Sequence, residues 1–165
     1  MFRLNRLTDY AVVVMSQLAL REEETLSAQQ LARETAVPLP TVSKVLGLLA
    51  KDGLIASQRG ASGGYILAQA PERITMAAII QAIEGPIALT ACVDGSEDSC
   101  ASESLCPIRG TWDRVNQAIQ GALDSVTLAE MATSFLTFPP APAADAGRRS
   151  GTTAGASAGT STGES

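Results

Sequence analysis

Residues 27–53 read SAQQLARETAVPLPTVSKVLGLLAKDG and predict two short helices joined by a tight turn. The first helix opens with a capping box at residues 27–30, in which a serine and a glutamine can each satisfy the other's backbone N–H. Pro38 and Pro40 bracket the start of the second helix, where the N–H that proline lacks would be unpaired in any case. Gly53 ends this helix, because glycine readily adopts the left-handed conformation that follows a helix.

A further helix precedes this pair, and a β-hairpin follows it. Apolar residues recur at helical spacing between about Thr8 and Leu20 and predict the preceding helix. Residues 54–57 and 65–68 have the composition of two short strands, and the segment between them is rich in glycine. Three helices followed by a hairpin are the order of a winged helix-turn-helix. The predicted fold class is therefore mainly α with a small β-hairpin.

The turn of the hairpin, which would be the wing, carries an arginine and several glycines. We expect Gly60, Gly63 and Gly64 to permit positive φ angles in this turn. Arg59 is the candidate wing contact, because arginine favours the negative potential of a narrow minor groove in DNA. The alternative for Arg59 is a solvated loop charge that contacts nothing.

The third helix would lie in the major groove of double-stranded DNA, as in other winged helices. Its exposed side near the N-terminus offers Thr41, Ser43 and Lys44. Lys44 could donate to guanine O6 and N7 or to a phosphate, and Thr41 could contact a base edge, a thymine methyl group or a phosphate. Lys44 could also be an ordinary solvated residue on a helix face.

The charge distribution is compatible with DNA binding, although the net charge of the chain is −5. Residues 1–73 carry eight basic and seven acidic side chains, whereas residues 74–138 carry two and eight. The acidity therefore lies outside the predicted DNA-binding segment. Because that segment is only weakly basic, DNA affinity would require well-placed contacts and two copies of the protein.

The remainder of the chain predicts further helices and a tail. Thr75 caps a helix that Gly85 and Pro86 end, and a long helix follows from Ile108 to about Leu123. A last short helix begins at a second capping box, residues 127–130. One face of the long helix is apolar and predicts a dimer seam; its residues are Ile108, Trp112, Val115, Ile119 and Leu123.

Three segments follow from these patterns. Residues 1–73 form a winged helix-turn-helix DNA-binding domain, and residues 74–138 hold a linker helix, a cysteine loop and the dimerisation helix. Residues 139–165 are rich in Pro, Gly, Ala, Ser and Thr and contain no large apolar side chain, so we expect a disordered tail there.

All three cysteines of the chain, Cys92, Cys100 and Cys106, lie close together in a polar stretch. Structural cysteines favour apolar surroundings, and a disulfide would leave one of the three unpaired. A closed zinc site favours four ligands in close pairs, whereas the spacing here is Cys-x7-Cys-x5-Cys and the chain has no histidine. Two interpretations remain open: an iron–sulfur cluster (2Fe–2S or 4Fe–4S), which favours thiolate ligands, and a thiol redox switch.

Four features together resemble the IscR/NsrR/RirA family of iron–sulfur winged-helix regulators: the stretch Leu4–Met15, the helix Pro40–Leu54, the wing Gly60–Ala68 and the cysteine loop. The resemblance covers about residues 1–138 and is strongest to regulators of the SUF system of iron–sulfur cluster assembly. It implies a homodimer on an operator of two half-sites, repression of cluster assembly genes, and control of DNA affinity by the cluster state. It also implies that Cys92, Cys100 and Cys106 ligate the cluster.

The chain departs from the family pattern at two places in the cluster loop. The first two cysteines are separated by seven residues, where the family commonly has five. Arg109 stands where IscR has a histidine ligand, so it cannot serve as the fourth ligand. Asp9, in the motif Leu7–Tyr10, matches the aspartate that nitric-oxide-sensing members contribute from the partner subunit. The resemblance makes Asp9 the candidate fourth ligand; the alternative is a carboxylate that interacts with the helix dipole.

The resemblance also concerns the residues that read DNA. The recognition-helix positions that contact bases in IscR are occupied here by Pro40, Thr41 and Lys44. These residues differ in type from those of IscR, so we expect a different operator sequence.

Other functional classes have weaker support in the sequence. No signal-peptide pattern is evident, and the apolar run Ala11–Met15 is too short to span a membrane, so we expect a cytoplasmic protein. We expect no enzymatic activity, because there is no histidine base and no phosphate-binding loop. The alternative function is a thiol redox regulator on the same fold that forms a Cys92–Cys100 or Cys100–Cys106 disulfide without iron.

Overall fold

The computed structural model describes residues 4–60, 63–90, 93 and 111–137. Within these ranges the protein is mainly helical with one antiparallel two-stranded hairpin, which confirms the predicted fold class. In chain order the elements are α1 (Arg6–Ala19), α2 (Ala28–Thr35), α3 (Leu39–Lys51), β1 (Ile55–Gln58), β2 (Gly64–Leu67), a 3-10 turn (Pro71–Arg73), α4 (Met76–Glu84), α5 (Thr111–Asp124) and α6 (Leu128–Thr137).

The capping signals of the sequence set most of the helix ends. The backbone N–H of Ser27 donates to Gln30 Oε1 at 2.9 Å, and the N–H of Gln30 donates to Ser27 Oγ at 3.2 Å, so the predicted capping box is present. The N–H of Ala78 donates to the hydroxyl of Thr75 at the start of α4, again as predicted. Gly53 follows α3 with φ = 72°, in the left-handed region that favours glycine.

The start of α1 differs from the prediction. The helix begins at Arg6, two residues before Thr8, because the side chain of Asn5 accepts a hydrogen bond from the N–H of Leu7 and acts as the N-cap. Thr8 therefore lies inside the first turn of α1, where its side chain is fully buried.

The hairpin pairs Ile55 with Leu67 and Gln58 with Gly64, so both strands lie within one residue of their predicted limits. The wing is also tied to the chain before α2. The N–H of Leu26 donates to Tyr65 O at 3.0 Å, and the N–H of Tyr65 donates to Leu26 O at 2.9 Å. The hairpin is therefore attached to the helical body at Tyr65, one residue pair away from the pair that flanks its turn.

The prediction for the three wing glycines is correct only for Gly60, which has φ = 137°. Gly63 and Gly64 do not have positive φ angles; close backbone contacts require glycine there instead. A Cβ atom at Gly64 would lie 2.8 Å from the carbonyl oxygen of Leu26, and one at Gly63 would lie 2.8 Å from that of Gln58.

The hydrophobic core surrounds α1, which packs against α2, α3, α4 and α6. The start of α4 is joined to the start of α6 by backbone bonds: the N–H of Met76 donates to Val126 O at 2.9 Å, and that of Leu128 donates to Ile74 O at 2.8 Å. α5 contacts α4. In the described ranges no helix combines the length and the hydropathy that are needed to span a bilayer.

Candidate nucleic-acid interface and cysteine loop

Helix α3 is held by one face and exposed on the other. Val42, Val45 and Leu46 are fully buried, whereas Ser43 and Lys44 between them are exposed. Because the buried side is packed in the core, the orientation of the exposed side is fixed relative to α1 and α2. The exposed side is thus a rigid polar surface of the kind that can enter a DNA groove.

The first turn of α3 is stapled by apolar contacts. Val37 before the helix and Val42 in its second turn both belong to the buried core, the arrangement of a hydrophobic staple. Pro40 is exposed within this turn, and Thr41 is half-buried. The structure therefore brings the four predicted contact residues of α3 to one end of the helix: Pro40, Thr41, Ser43 and Lys44.

A shallow groove next to this end adds a residue that sequence reasoning missed. Gln29, Ala32 and Arg33 of α2 line the groove together with Leu39, the first residue of α3. Arg33 is exposed in the last turn of α2. The sequence analysis did not single out Arg33, because its position beside Leu39 depends on how α2 packs against α3. Arg33 is an additional candidate phosphate contact.

The wing presents Arg59 directly after β1, where the side chain is exposed. The turn is closed by the N–H of Gly63, which donates to Gly60 O at 3.0 Å. Since Tyr65, close to this turn, is bonded to Leu26, the hairpin that carries Arg59 is attached to the chain before α2.

No ion pair within the described ranges involves Arg33, Lys44 or Arg59, the basic residues of this surface. The ion pairs of these ranges join Arg21 to Glu24 at 3.5 Å and to Glu34 at 3.3 Å. A cation without an acidic partner can release counterions from DNA when it binds a phosphate.

The three cysteines Cys92, Cys100 and Cys106 lie outside the described residues, as does Arg109. The chain is described up to Thr90, at Val93, and again from Thr111, the start of α5. Val93 is buried, and its N–H donates to Thr90 O at 3.3 Å. The structure therefore describes the segments on either side of the cysteine loop.

The segment that leads into the cysteine loop is fastened to α5 by Asn116. Its Oδ1 accepts from the N–H of Leu89 at 3.1 Å, and its Nδ2 donates to Ile87 O at 2.8 Å. Asn116 is only 4% exposed, which is unusual for an asparagine on an otherwise exposed helix. Sequence reasoning did not single it out, because no local motif marks a residue whose partners are 27 and 29 positions away.

The end of α4, from which the same segment departs, is fastened to α1. Glu84 is the last residue of α4, and its Oε1 accepts from the backbone N–H of Asn5 at 2.8 Å. The hydroxyl of Thr8 donates to the same oxygen. Glu84 therefore connects the exit of α4 to the first turn of α1.

Asp9 follows Thr8 in this turn and is exposed. It lines a cavity of about 610 Å³ together with Arg6, Met76 and Met131, at the junction of α1, α4 and α6. Asp9 is thus open to a group that approaches from outside this chain. Sequence reasoning placed Asp9 at a helix start, which the structure bears out, but its candidate role as a ligand is a proposal.

The side chains of the three cysteines and of Asp9 are chemically suited to ligate an iron–sulfur cluster. Three thiols can supply the soft ligands that iron–sulfur clusters favour, and an exposed carboxylate on α1 can supply a fourth. In the described part of the chain, no group of three or more His, Cys, Asp or Glu residues is arranged to hold a metal ion.

Helix α5 exposes apolar side chains in the predicted stripe. Trp112 is 37% exposed and Val115 is 42% exposed, while Ile119 and Leu123 are half-buried. Large apolar side chains exposed in a row favour contact with a second surface. Ile108, which the sequence added to the stripe, lies outside the described residues.

Comparison with known proteins shows what the chain is similar to. A family model described as "Rrf2: Iron-dependent Transcriptional regulator" matches residues 4–134. The HTH-type transcriptional regulator IscR of Serratia proteamaculans is 29% identical over 130 residues, which are 78% of this chain and 78% of that protein. The HTH-type transcriptional regulator NsrR of Halalkalibacterium halodurans is 29% identical over 133 residues, 80% of this chain and 91% of that one.

A solved structure has the same architecture. CymR, the global cysteine regulator of B. subtilis, superposes with a TM-score of 0.63 at 30% identity, and the match covers 81% of this chain and 98% of that chain. The winged-helix prediction is confirmed by this match together with the hairpin and helices described above.

Proposed function

The chain belongs to the Rrf2 family of DNA-binding transcriptional regulators, and we propose that it is an iron–sulfur-dependent repressor of genes for iron–sulfur cluster assembly of the SUF type. The observation that carries this proposal is that the segment entering the cysteine loop is hydrogen-bonded to α5, while the end of α4 is hydrogen-bonded to α1. A change in the loop can therefore reach both the proposed dimer seam and the body that holds the recognition helix.

In this proposal the DNA contacts come from α3, the end of α2 and the wing. Lys44, Ser43 and Thr41 contact base edges and phosphates in the major groove, and Pro40 packs against the sugar–phosphate backbone. Arg59 contacts the minor groove or its phosphates, and Arg33 contacts a phosphate beside α3. Exposure of these side chains, apart from the half-buried Thr41, supports the assignment.

The operator-binding unit is a homodimer. One recognition helix with a few cations gives weak binding, and two copies place two such helices about one DNA turn apart. The exposed stripe of Trp112, Val115, Ile119 and Leu123 on α5 supports this proposal, because pairing two such stripes buries apolar surface that water otherwise covers.

The cluster ligands are Cys92, Cys100 and Cys106, with Asp9 of the partner subunit as the fourth. A bound cluster supplies a centre whose oxidation, loss or degradation reports iron, oxygen or nitric oxide. The residues of this chain do the rest: Asn116 holds the segment that enters the cysteine loop, and α1 presents Asp9 beside its contact with Glu84. The protein with its cluster and the protein without it then differ in DNA affinity. The difference equals the coupling free energy between the cluster site and the DNA-binding surface.

A regulator of transcription acts where the DNA is, so we place the protein in the cytoplasm. Its relatives are regulators by name, and the expectation that it is not an enzyme rests on this family membership.

The experiment is an anaerobic titration of the full chain, with and without its cluster, against DNA upstream of the organism's iron–sulfur assembly genes. Fluorescence anisotropy gives the dissociation constant for each state, and a scrambled duplex is the control. The proposal predicts sequence-specific binding that differs between the states. Equal affinity for operator and scrambled DNA in both states would contradict it.

Metal analysis of the same preparation distinguishes the remaining alternative. If operator binding responds to thiol oxidation in protein that never contains iron, a Cys92–Cys100 or Cys100–Cys106 disulfide switch on the same fold replaces the cluster.

A further inference from the structure

Asn116 is a buried amide on a helix whose other central side chains are half-buried or exposed. Burying an unpaired amide costs about 1–3 kcal/mol in proteins, so such a residue is found where its polar groups are bonded. Asn116 meets this condition, because its Oδ1 is bonded to the N–H of Leu89 and its Nδ2 to Ile87 O. A single side chain thus pairs a donor and an acceptor of the same short segment.

The location of Asn116 on α5 gives this contact a consequence for the seam. Asn116 lies one turn after Trp112 and directly after Val115, the two exposed apolar residues of the stripe. Residues at i and i+4 of a helix lie on neighbouring positions of one face. The residue that holds the loop segment is therefore next to the residues that face the proposed partner.

We propose that Asn116 is a positioning residue that couples residues 87–89, which lead towards the cysteines, to the dimerisation helix, so that holding this segment against α5 strengthens dimer association. This inference rests on the proposed function, because it assumes that the α5 stripe is the dimer seam. This role does not require Asn116 to contact a cysteine or the cluster. It acts by holding Ile87 and Leu89 at a fixed distance from α5, while the chain continues from Thr90 into the loop.

The test compares Asn116→Leu with a matched control, Gln117→Leu, in the full chain. Leucine has the same branching as asparagine but forms neither hydrogen bond, whereas Gln117 is exposed on the next position of the same helix. Both variants and the wild type are studied first without iron. Hydrogen–deuterium exchange reports protection of residues 86–90, and sedimentation equilibrium reports the dimer dissociation constant.

For Asn116→Leu we expect exchange at the Leu89 amide to become about tenfold faster and the dimer dissociation constant to rise about tenfold, the effect of losing two hydrogen bonds of ordinary net strength. The control should match the wild type in both. If exchange rises while the dimer dissociation constant stays at the control value, the coupling is wrong. If exchange does not rise, the contact itself is wrong.

Two further measurements separate folding and cluster effects. Thermal unfolding followed by circular dichroism shows whether Asn116→Leu folds, and Asn116→Asp serves as the second variant if it does not. Aspartate keeps an acceptor for Leu89 and loses the donor to Ile87, so it should retain protection at Leu89 and still weaken the dimer. A monomeric wild type would overturn this inference.

The same variants report on the cluster when iron is present. When an iron chelator is added, the visible absorption of the cluster should decay several-fold faster in Asn116→Leu than in Gln117→Leu. If the wild type binds no iron when iron and sulfide are supplied, while Asn116→Leu shows the expected exchange and dimer effects, the cluster part of the proposed function is wrong and the Asn116 coupling stands.

Discussion

The carboxylate of Glu84, at the end of α4, accepts a hydrogen bond from the buried hydroxyl of Thr8 in the first turn of α1. The same oxygen accepts the N–H of Asn5, the N-cap residue of that helix. An anion is favoured at this position, because the N-terminus of a helix carries partial positive charge. The contact spans 76 residues of sequence and joins the exit of α4 to the helix that carries Asp9.

Replacing Glu84 with alanine should destabilise the protein by about 1–3 kcal/mol, because the buried hydroxyl of Thr8 would then have no acceptor. Glu84→Gln keeps a carbonyl oxygen that can accept these hydrogen bonds, so its free energy of unfolding should fall by less than that of Glu84→Ala. Urea denaturation of the full chain measures both values. Glu72→Ala, which removes an exposed glutamate from the 3-10 turn, is the control. Equal stability of Glu84→Ala and Glu72→Ala would show that the contact contributes nothing.

Gly64→Ala should destabilise the wing and the fold by about 1–3 kcal/mol, since overpacking forces backbone shifts of that cost. The new methyl group would lie 2.8 Å from Leu26 O and separate the two backbone bonds between Leu26 and Tyr65. Gly121→Ala is the control, because nothing lies within 4 Å of a Cβ atom there and alanine favours a helix. Thermal unfolding should rank the control above the wild type and Gly64→Ala below it.

These two contacts show which parts of the structure could be predicted from the sequence. The capping boxes at Ser27 and Thr127 are local patterns, and both are present, the second with Glu130 bonded to the N–H of Thr127 at 2.8 Å. The need for glycine at position 64 depends on Leu26, which is distant in the chain, so a local interpretation assigned the wrong cause to a correctly identified residue.

Some residues of the candidate site could likewise be predicted from local sequence patterns, and others could not. Lys44 and Arg59 could be identified from the order of helices and hairpin, because that order specifies which helix and which turn face DNA. Arg33 and Asn116 could not, since their roles depend on Leu39 and Leu89, whose positions follow from packing. The three cysteines could be identified from the sequence because they lie close together in a polar stretch.

Lys44→Ala should weaken operator binding by about 1–3 kcal/mol if the ammonium group reads a base, and should relax the preference at that base pair. Lys51→Ala is the matched control, because Lys51 is an exposed lysine at the opposite end of α3. Anisotropy titrations against operator and single-base variants measure both effects. An unchanged operator affinity would remove Lys44 from the interface.

Arg33→Ala should weaken binding to specific and scrambled DNA alike, because a phosphate contact carries no sequence information. The slope of log affinity against log salt should become shallower by about 0.9, because the variant neutralises one phosphate fewer. Arg73→Ala, which removes an exposed arginine from the 3-10 turn, is the control. A slope equal to that of the control would show that Arg33 lies away from the DNA.

The proposed iron–sulfur cluster on the three cysteines is tested most directly by an anaerobic absorption spectrum with iron and sulfide counts on wild type and Cys92→Ala. We predict broad visible absorption with stoichiometric iron and sulfide in the wild type, and we predict that the variant lacks them while it keeps the helical circular dichroism spectrum. Colourless, iron-free wild type from a strictly anaerobic preparation would contradict the cluster.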